Sequence, residues 1–419
     1  MKRIIATICI LALMLSVGAF SACALSPTQY ADDNPWFDYE LGKDPDYSFA
    51  VIGDIQTLAW FDQRESTTYT KKLVDWILDN KDDKKIEYVF GLGDTIETLS
   101  SWIESGYNTS VTNPGEWSIT STQIKRMNGV LPYMIVRGNH DDEAGYHKYI
   151  CTDDYKNQMD GFFYDPAKPA LRGNSMSNSY KKITVDGQKY LMMALDFDVN
   201  DDVIDWANNV IEANPDHRVI VAVHAYNSAS GGFLKGDIGQ PGIDDETDGD
   251  ENHDWFYFDG ERLWNEIFSK HENMFMVLSG HVSVTDPVVK SRKGAGDNYV
   301  FEVLVDPQAH DEQLHESGEA AGAFVMLINF SINGNRLEFE YISTTRDKHY
   351  KNSNQYVKKV HGTSLLELKT TTTTTTKDKD DDDSKTSGGC SASLSYSAMA
   401  VATLGTSLSM LALRKKKKR

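Results

Sequence analysis

Six short runs of apolar and β-branched residues, each broken abruptly by a polar group, constrain this chain more than any other feature. Residues 47–53 run into Asp54 and Gln56, 86–93 into Asp94, and 131–136 into Arg137-Gly-Asn-His-Asp141. Residues 189–195 end at Asp196, 218–223 at His224, and 273–280 at His281. Runs with so few polar interruptions are the pattern of strands covered on both faces. Helical patterns lie between them, at 69–78, 203–211 and 262–268, and strands alternating with helices predict an α/β core. In such sheets ligands bind outside the carboxyl ends of the strands, and here those ends carry Asp, Gln, Asp, Asn-His-Asp, His and His. Metal-capable groups on that many strand ends predict a metal site on one rim. From Asn298 onward, residues 299–306, 323–329 and 336–343 read as strands joined by turns such as Asn333-Gly334. They are expected to form a second, antiparallel part packed on the first.

Taken in order, the rim residues are Asp54-x-Gln56, Gly93-Asp94-x-x-Glu97, Gly138-Asn139-His140-Asp141, Val223-His224 and Gly280-His281. In this order and strand placement the chain resembles the calcineurin-like metallophosphoesterases, the superfamily that includes purple acid phosphatases. The motifs of that family are D-x-H, G-D-x-x-D, G-N-H-[DE], a lone His after a strand, and G-H-x-H. The resemblance runs from residue 47 to about residue 285. It implies an αββα four-layer β-sandwich and hydrolysis of phosphomono- or diesters by a hydroxide bridging two divalent metals. Two metals about 3.5–4 Å apart neutralise the phosphate, lower the pKa of the water between them and align it with the leaving oxygen.

By the same resemblance Asp94 bridges the two ions, and Asp54 and Gln56 complete the first site. Asn139, His224 and His281 complete the second. His140 stands over the leaving group as proton donor or charge stabiliser, and Asp141 is expected to orient its ring. Two departures fall on the same ion. Gln56 stands where the family often has His, and Ser283 where G-H-x-H has its second His. The ions implied are Mn, Mg, Zn or Fe, and an oxygen-rich first site favours Mn, Mg or Ca. His310 or His315 are candidates for the missing ligand, and Glu97, in place of the usual Asp, for a residue behind the ligands.

Other residues carry plainer expectations. Asp196 has no matching motif and reads as a helix cap or turn. The acidic stretch 244–254 lacks the D-x-[DN]-x-[DN]-G pattern of a calcium loop and reads as a solvated loop or substrate lid. Trp60, Trp102, Trp117 and Trp255 line a cleft or pack loops. His147, His217, His253, His271, His349 and His361 are expected at the surface.

The ends speak to compartment. Lys2 and Arg3 precede an apolar run to Phe20 and the small residues Ser21, Ala22, Cys23 and Ala24, the layout of a secretory signal cleaved after Ala24 or, alternatively, lipidated at Cys23. Residues 25–46 form a lead-in, and 47–368 the catalytic domain. Residues 369–389, with seven successive threonines and the acids Asp380 to Asp383, make a solvated linker. Residues 390–419 form a transmembrane or surface-sorting tail, uncharged from Ser391 to Leu413 and closed by six bases. An exported protein, membrane- or wall-anchored on the outer side of the cell envelope, is expected. Of the four cysteines only Cys151 lies in the globular body, so no internal disulfide is available to it. The whole chain carries 42 basic and 62 acidic residues, a net charge of −20, which argues against coating nucleic acid and leaves small phosphorylated substrates. A second reading, in which a degenerate scaffold serves as a non-catalytic surface binding or adhesion module, draws on the anchor and the two departures.

Overall fold

Tyr47–Ile52, whose six residues are all buried, belongs to a sheet that is covered twice. Tyr47, Phe49 and Val51 point into one apolar layer, and Ala50 and Ile52 into another, as strand alternation requires. The computed structural model describes residues 36–37, 44–97, 113–164, 176–197, 199–237, 257–296, 298–331, 336–350 and 358–361. The first of two compact units, Met1–Thr370, holds all of them; the second, Thr371–Arg419, lies outside them, as do residues 1–24, expected to be a signal. No helix of the described residues is long and apolar enough to cross a membrane.

The described residues form a mixed α/β fold with two large sheets and a two-stranded ribbon of Lys235–Asp237 with Tyr257–Asp259. The first has eight strands, and its centre runs Arg336–Ser343, Phe324–Ser331, Tyr47–Ile52, Ile86–Gly91, Tyr133–Ile135. The second has seven strands, with Val288–Lys293, Tyr299–Leu304, Met274–Ser279, Arg218–Val223, Gln188–Leu195 and Ser179–Val185 in that order. Phe49, Phe90 and Phe330 of the first sheet and Tyr190, Met192, Ile220, Met276 and Phe301 of the second share one buried layer between the sheets. Helices Gln56–Glu65, Tyr69–Asp79 and Pro114–Ile124 cover the other face of the first sheet. Asp201–Glu212 and residues 260–268 do the same for the second. The layers therefore run helix, sheet, sheet, helix.

Local sequence explains the covering helices. In Tyr69–Asp79 the buried residues Tyr69, Thr70, Leu73, Val74, Trp76 and Ile77 recur at helical spacing. Its first turn is capped from outside: Asp62 of the preceding helix accepts from the Tyr69 and Thr70 amides at 2.7 and 2.9 Å, supplying orphan N–H groups with a partner. Asp201–Glu212 starts at Asn200, whose side chain accepts from the Val203 amide at 3.0 Å.

Of the second, antiparallel part expected after Asn298, Phe324–Ser331 and Arg336–Ser343 do pair antiparallel, but the segment is divided between the two sheets. Tyr299–Leu304 pairs parallel with Met274–Ser279 in the second sheet. Phe324–Ser331 pairs antiparallel with Tyr47–Ile52 in the first. A buried polar-to-apolar pattern cannot say which sheet a strand joins, because the pairing partner is distant in sequence.

Phe49 is the aromatic hub of the inner layer, with ring centroids 5.2 Å from Tyr190 and 4.9 Å from Phe330. Phe49→Ala is expected to cost about 3–5 kcal/mol, read as a lower urea midpoint. A loss below about 1 kcal/mol would mean that the two sheets close over the gap.

Candidate metal centre

Strand register brings the site together. Ile52 is level with Gly91, and Gly91 with Ile135, so the first sheet ends its parallel strands in one line. In the second, Leu195 is level with Val223, Ala222 with Leu278, and Ser279 with Leu304. The residues just past these ends are Asp54, Asp94, Asn139 and His140 on one side, and Asp196, His224, His281 and Asp306 on the other. Two ligand-type residues sit in left-handed backbone, Asp94 at φ 46° and His281 at φ 70°, a conformation that costs energy and marks over-determined, functional positions.

The bonds cross between the sheets. His281 donates its amide to Asp54 Oδ2 at 2.9 Å. His224 is fully buried, with Nδ1 2.8 Å from the Leu92 carbonyl oxygen and Nε2 2.8 Å from Asn139 Oδ1. A carbonyl only accepts, so Nδ1 carries a proton and Nε2 is the atom turned to the site. Asp94 Oδ1 lies 3.3 Å from His224 Nε2 and accepts from the His140 amide at 2.9 Å. Gly280 backs directly onto Asp54: a Cβ there would lie 2.1 Å from Asp54 Oδ1. Gly280→Ala is expected to push the carboxylate aside at a cost of about 1–3 kcal/mol, measured by urea unfolding. Wild-type stability would show that Asp54 has room to retreat.

The donor set fits divalent metal. Ligand atoms of Asp94, His224 and His281 all lie within 4.8 Å of one another. Asp54 Oδ1 and Gln56 Oε1 are buried with no hydrogen-bond partner, an arrangement that is costly for the protein alone. Burial, with the charges of Asp306 and Asp94, holds the Asp54 carboxyl well above the usual range. Burial also presses on Asp94, but the His224 and His140 imidazoles hold it below that range. Burial and the neighbouring His224 push His281 down to about 3, keeping its ring neutral and able to donate a lone pair.

The site holds most of the expected residues, with corrections. His140 is not oriented by Asp141. Its Nδ1 lies 3.0 Å from the Glu97 carbonyl oxygen, whereas Asp141 accepts from the Thr95, Ile96 and Gly138 amides at 2.7, 3.3 and 3.0 Å. Asp141 therefore positions the loop backbone, and Glu97 acts through its carbonyl. Gln56 presents nitrogen rather than oxygen to Asp94, donating from Nε2 to Oδ2 at 3.1 Å. Ser283 lies beside the rim and donates to Asp306 Oδ2 at 3.2 Å. His310 and His315 lie elsewhere: the first ring packs between Phe324 and Tyr350 at 4.8 and 4.3 Å, the second stacks on Phe61 at 3.8 Å and pairs with Glu65.

Asp196 is neither a cap nor a surface turn. It is buried and accepts from Arg137 Nη2 at 3.0 Å and Ser177 at 2.7 Å, and Arg137 also donates to the Asp141 carbonyl, so the pair braces the Asn139-His140 loop. Trp117 is core, fully buried and bonded to Asp142, and Trp60 packs against the same cluster. His271 and His349 are buried and His147 and His217 half-buried, not surface groups. Trp102, Trp255, His253, the 244–254 stretch and the His361 side chain lie outside the described residues. Asp306 is the site residue the sequence reading passed over. Residues 299–305, apolar apart from Glu302, break at Asp306, the same design as the six others.

The calcineurin-like phosphoesterase pattern matches residues 47–285. An uncharacterized protein of Bacillus subtilis (strain 168), YvnB, is 25% identical over 338 residues, covering 77% of this chain. The chain spans only 22% of that relative's length. Among solved structures, a purple acid phosphatase from yellow lupin seeds shares 11% identity at a TM-score of 0.40, over 73% of this chain and 52% of that one. A 5'-nucleotidase precursor from Thermus thermophilus shares 10% at 0.40, over 73% and 56%. Since more than half of the 419 residues carry the family's pattern, the protein belongs to the calcineurin-like phosphoesterases, a family of enzymes that work with two metal ions.

Proposed function

We propose that the protein is an exported, cell-surface phosphoesterase that hydrolyses small phosphomono- or diesters at this rim. The observation that carries the reading is His140. Its Nδ1 is tied to the Glu97 carbonyl and its backbone amide to Asp94 Oδ1, which sets Nε2 at the site, 4.0 Å from Asp94 Oδ2. Its side chain is 16% exposed while Asp94 beside it is 2%, so a substrate can reach it. Asp54, Asp94, Asn139, His224 and His281 would hold the two ions, with Asp94 between them and Gln56 steadying Asp94. When bound, divalent metals would offset the phosphate charge and lower the pKa of an attacking water. His140, with Nδ1–H committed to Glu97, takes the Nε2 role: a proton held there passes to the leaving oxygen.

Residues 1–24 are read as a signal, 25–46 as a lead-in, 47–368 as the catalytic domain, 369–389 as a linker, and 390–419 as the anchor on the outer face of the envelope. The basic start and apolar run of the leader and the uncharged stretch before the basic tail support this reading.

The test is release of nitrophenol from mono- and bis-nitrophenyl phosphate by chelator-treated protein, before and after manganese is restored. Turnover that appears only with metal is expected, and the better ester assigns mono- or diesterase. Folded protein with no turnover under any divalent metal would favour the surface binding module instead.

A further inference from the structure

We propose that Asp306 is a ligand of the first metal site, supplying in this chain the donor lost where Ser283 replaces an imidazole. The proposal rests on the two-metal reading above. Asp306 follows Tyr299–Leu304, the strand beside the one that ends at His281, with Leu304 level with Ser279. It therefore reaches the rim next to the His281–Ser283 turn. That turn is bonded to it twice: the Val284 amide donates to the Asp306 carbonyl at 2.8 Å and the Ser283 hydroxyl to Oδ2 at 3.2 Å. The Asp306 carboxylate thus lies within hydrogen-bond reach of the position-283 side chain.

The other side of Asp306 faces the first sheet. A Cβ on Gly53 would lie 2.6 Å from the Val305 carbonyl oxygen and 2.7 Å from the Pro307 ring, so the 305–307 backbone lies against the residue before Asp54. One step on, Gln308 Oε1 accepts from Gln56 Nε2 at 3.1 Å, and that same nitrogen donates to Asp94 Oδ2. Asp306 and Gln308 thus reach the rim beside Asp54, Gln56 and Asp94. Two oxygens there, Asp54 Oδ1 and Gln56 Oε1, are buried with no hydrogen-bond partner.

Charge points the same way. Asp54, Asp94 and Asp306 are 1%, 2% and 0% exposed. Among the described residues, no Lys or Arg pairs with any of the three. Three buried carboxylates with only the imidazoles beside Asp94 to offset them are expensive, and a dication relieves the cost. Carboxylates from Asp54, Asp94 and Asp306 make an oxygen-only donor set, suited to manganese, magnesium or calcium over zinc. The alternative role for Asp306, that of an acceptor merely holding the Ser283 turn, predicts no effect on metal stoichiometry.

The experiment uses the full chain, stripped with chelator and titrated with manganese, with bound ion counted by elemental analysis and free ion by paramagnetic resonance. Wild type is expected to bind two ions per chain. Asp306→Asn is expected to keep one and to weaken the other by about 100-fold, with the metal-free melting temperature as a fold control. Ser283→Ala is expected to keep both. Two ions bound by Asp306→Asn at wild-type affinity would overturn the proposal while leaving the two-metal reading intact. Wild type that holds fewer than two ions would overturn that reading, and the role of Asp306 with it. Should Asp306→Asn not fold, Asp306→His retains a donor. Cadmium-113 resonance then reads donor type: one of two signals is expected to move toward the nitrogen-ligand range, and two unmoved signals would overturn the assignment.

Discussion

Asp94→Asn is expected to lower turnover about a thousandfold or more, the loss of several kcal/mol of stabilisation of developing charge. Elsewhere the substitution removes one hydrogen bond, that from Gln56 Nε2 to Oδ2. Asn tolerates left-handed backbone, so the φ of 46° at this position is retained. The side-chain oxygen can still accept from the His140 amide, as Oδ1 does now at 2.9 Å. What disappears is the negative charge beside His224 and the second carboxylate oxygen, so bound metal should fall together with turnover. Turnover at saturating manganese and bound manganese per chain check this. A variant within tenfold of wild type would remove Asp94 from the centre of the mechanism.

His140→Ala is expected to separate the two quantities. His140 reaches Asp94 through its backbone amide, and its ring is held by the Glu97 carbonyl, so the ring can be removed without taking a donor from either ion. Turnover should fall by about 10²–10⁴, the usual worth of a positioned proton donor, with metal stoichiometry unchanged. The fall should be steeper for alkyl phosphates than for nitrophenyl phosphate, because nitrophenolate leaves without needing a proton. Equal losses on both esters, or metal lost with the ring, would assign His140 another role.

The rim itself was legible because buried strands and ligand residues have opposite chemistries. An apolar run such as 218–223 that stops at a histidine can be read without knowing its neighbours. Residues whose partners lie far off were not. Asp141 sits beside His140 in sequence, yet its carboxylate is committed to the Thr95 and Ile96 amides, in a loop that only folding brings near. Asp306 carried the same strand-end signature as the others but was assigned to a different part, since its parallel pairing with Met274–Ser279 is a tertiary fact. Helix Gln56–Glu65 escaped notice for a related reason. Its buried residues include Gln56, Thr57 and Asp62, placed inward to serve the site and to cap the next helix, and they blur the apolar stripe by which helices are read. His310 offered an imidazole at a plausible place in sequence, and only the packing of Phe324 and Tyr350 around it shows where that ring goes.

The two sheets meet through apolar side chains along most of their length, but at the rim they are fastened by polar bonds, His224 to the Leu92 carbonyl and the His281 amide to Asp54. The groups that would grip ions are thus the clasp between the two halves of the fold. Chemistry and cohesion draw on the same bonds, so filling the site also tightens the clasp. Amide hydrogen exchange would register this coupling as slower exchange at His281 and His140 when metal is present. Amides beneath the Phe49 layer, which open only when the whole domain does, answer to metal only through the stability of the whole. In this architecture an ion lost at the rim is a seam beginning to part.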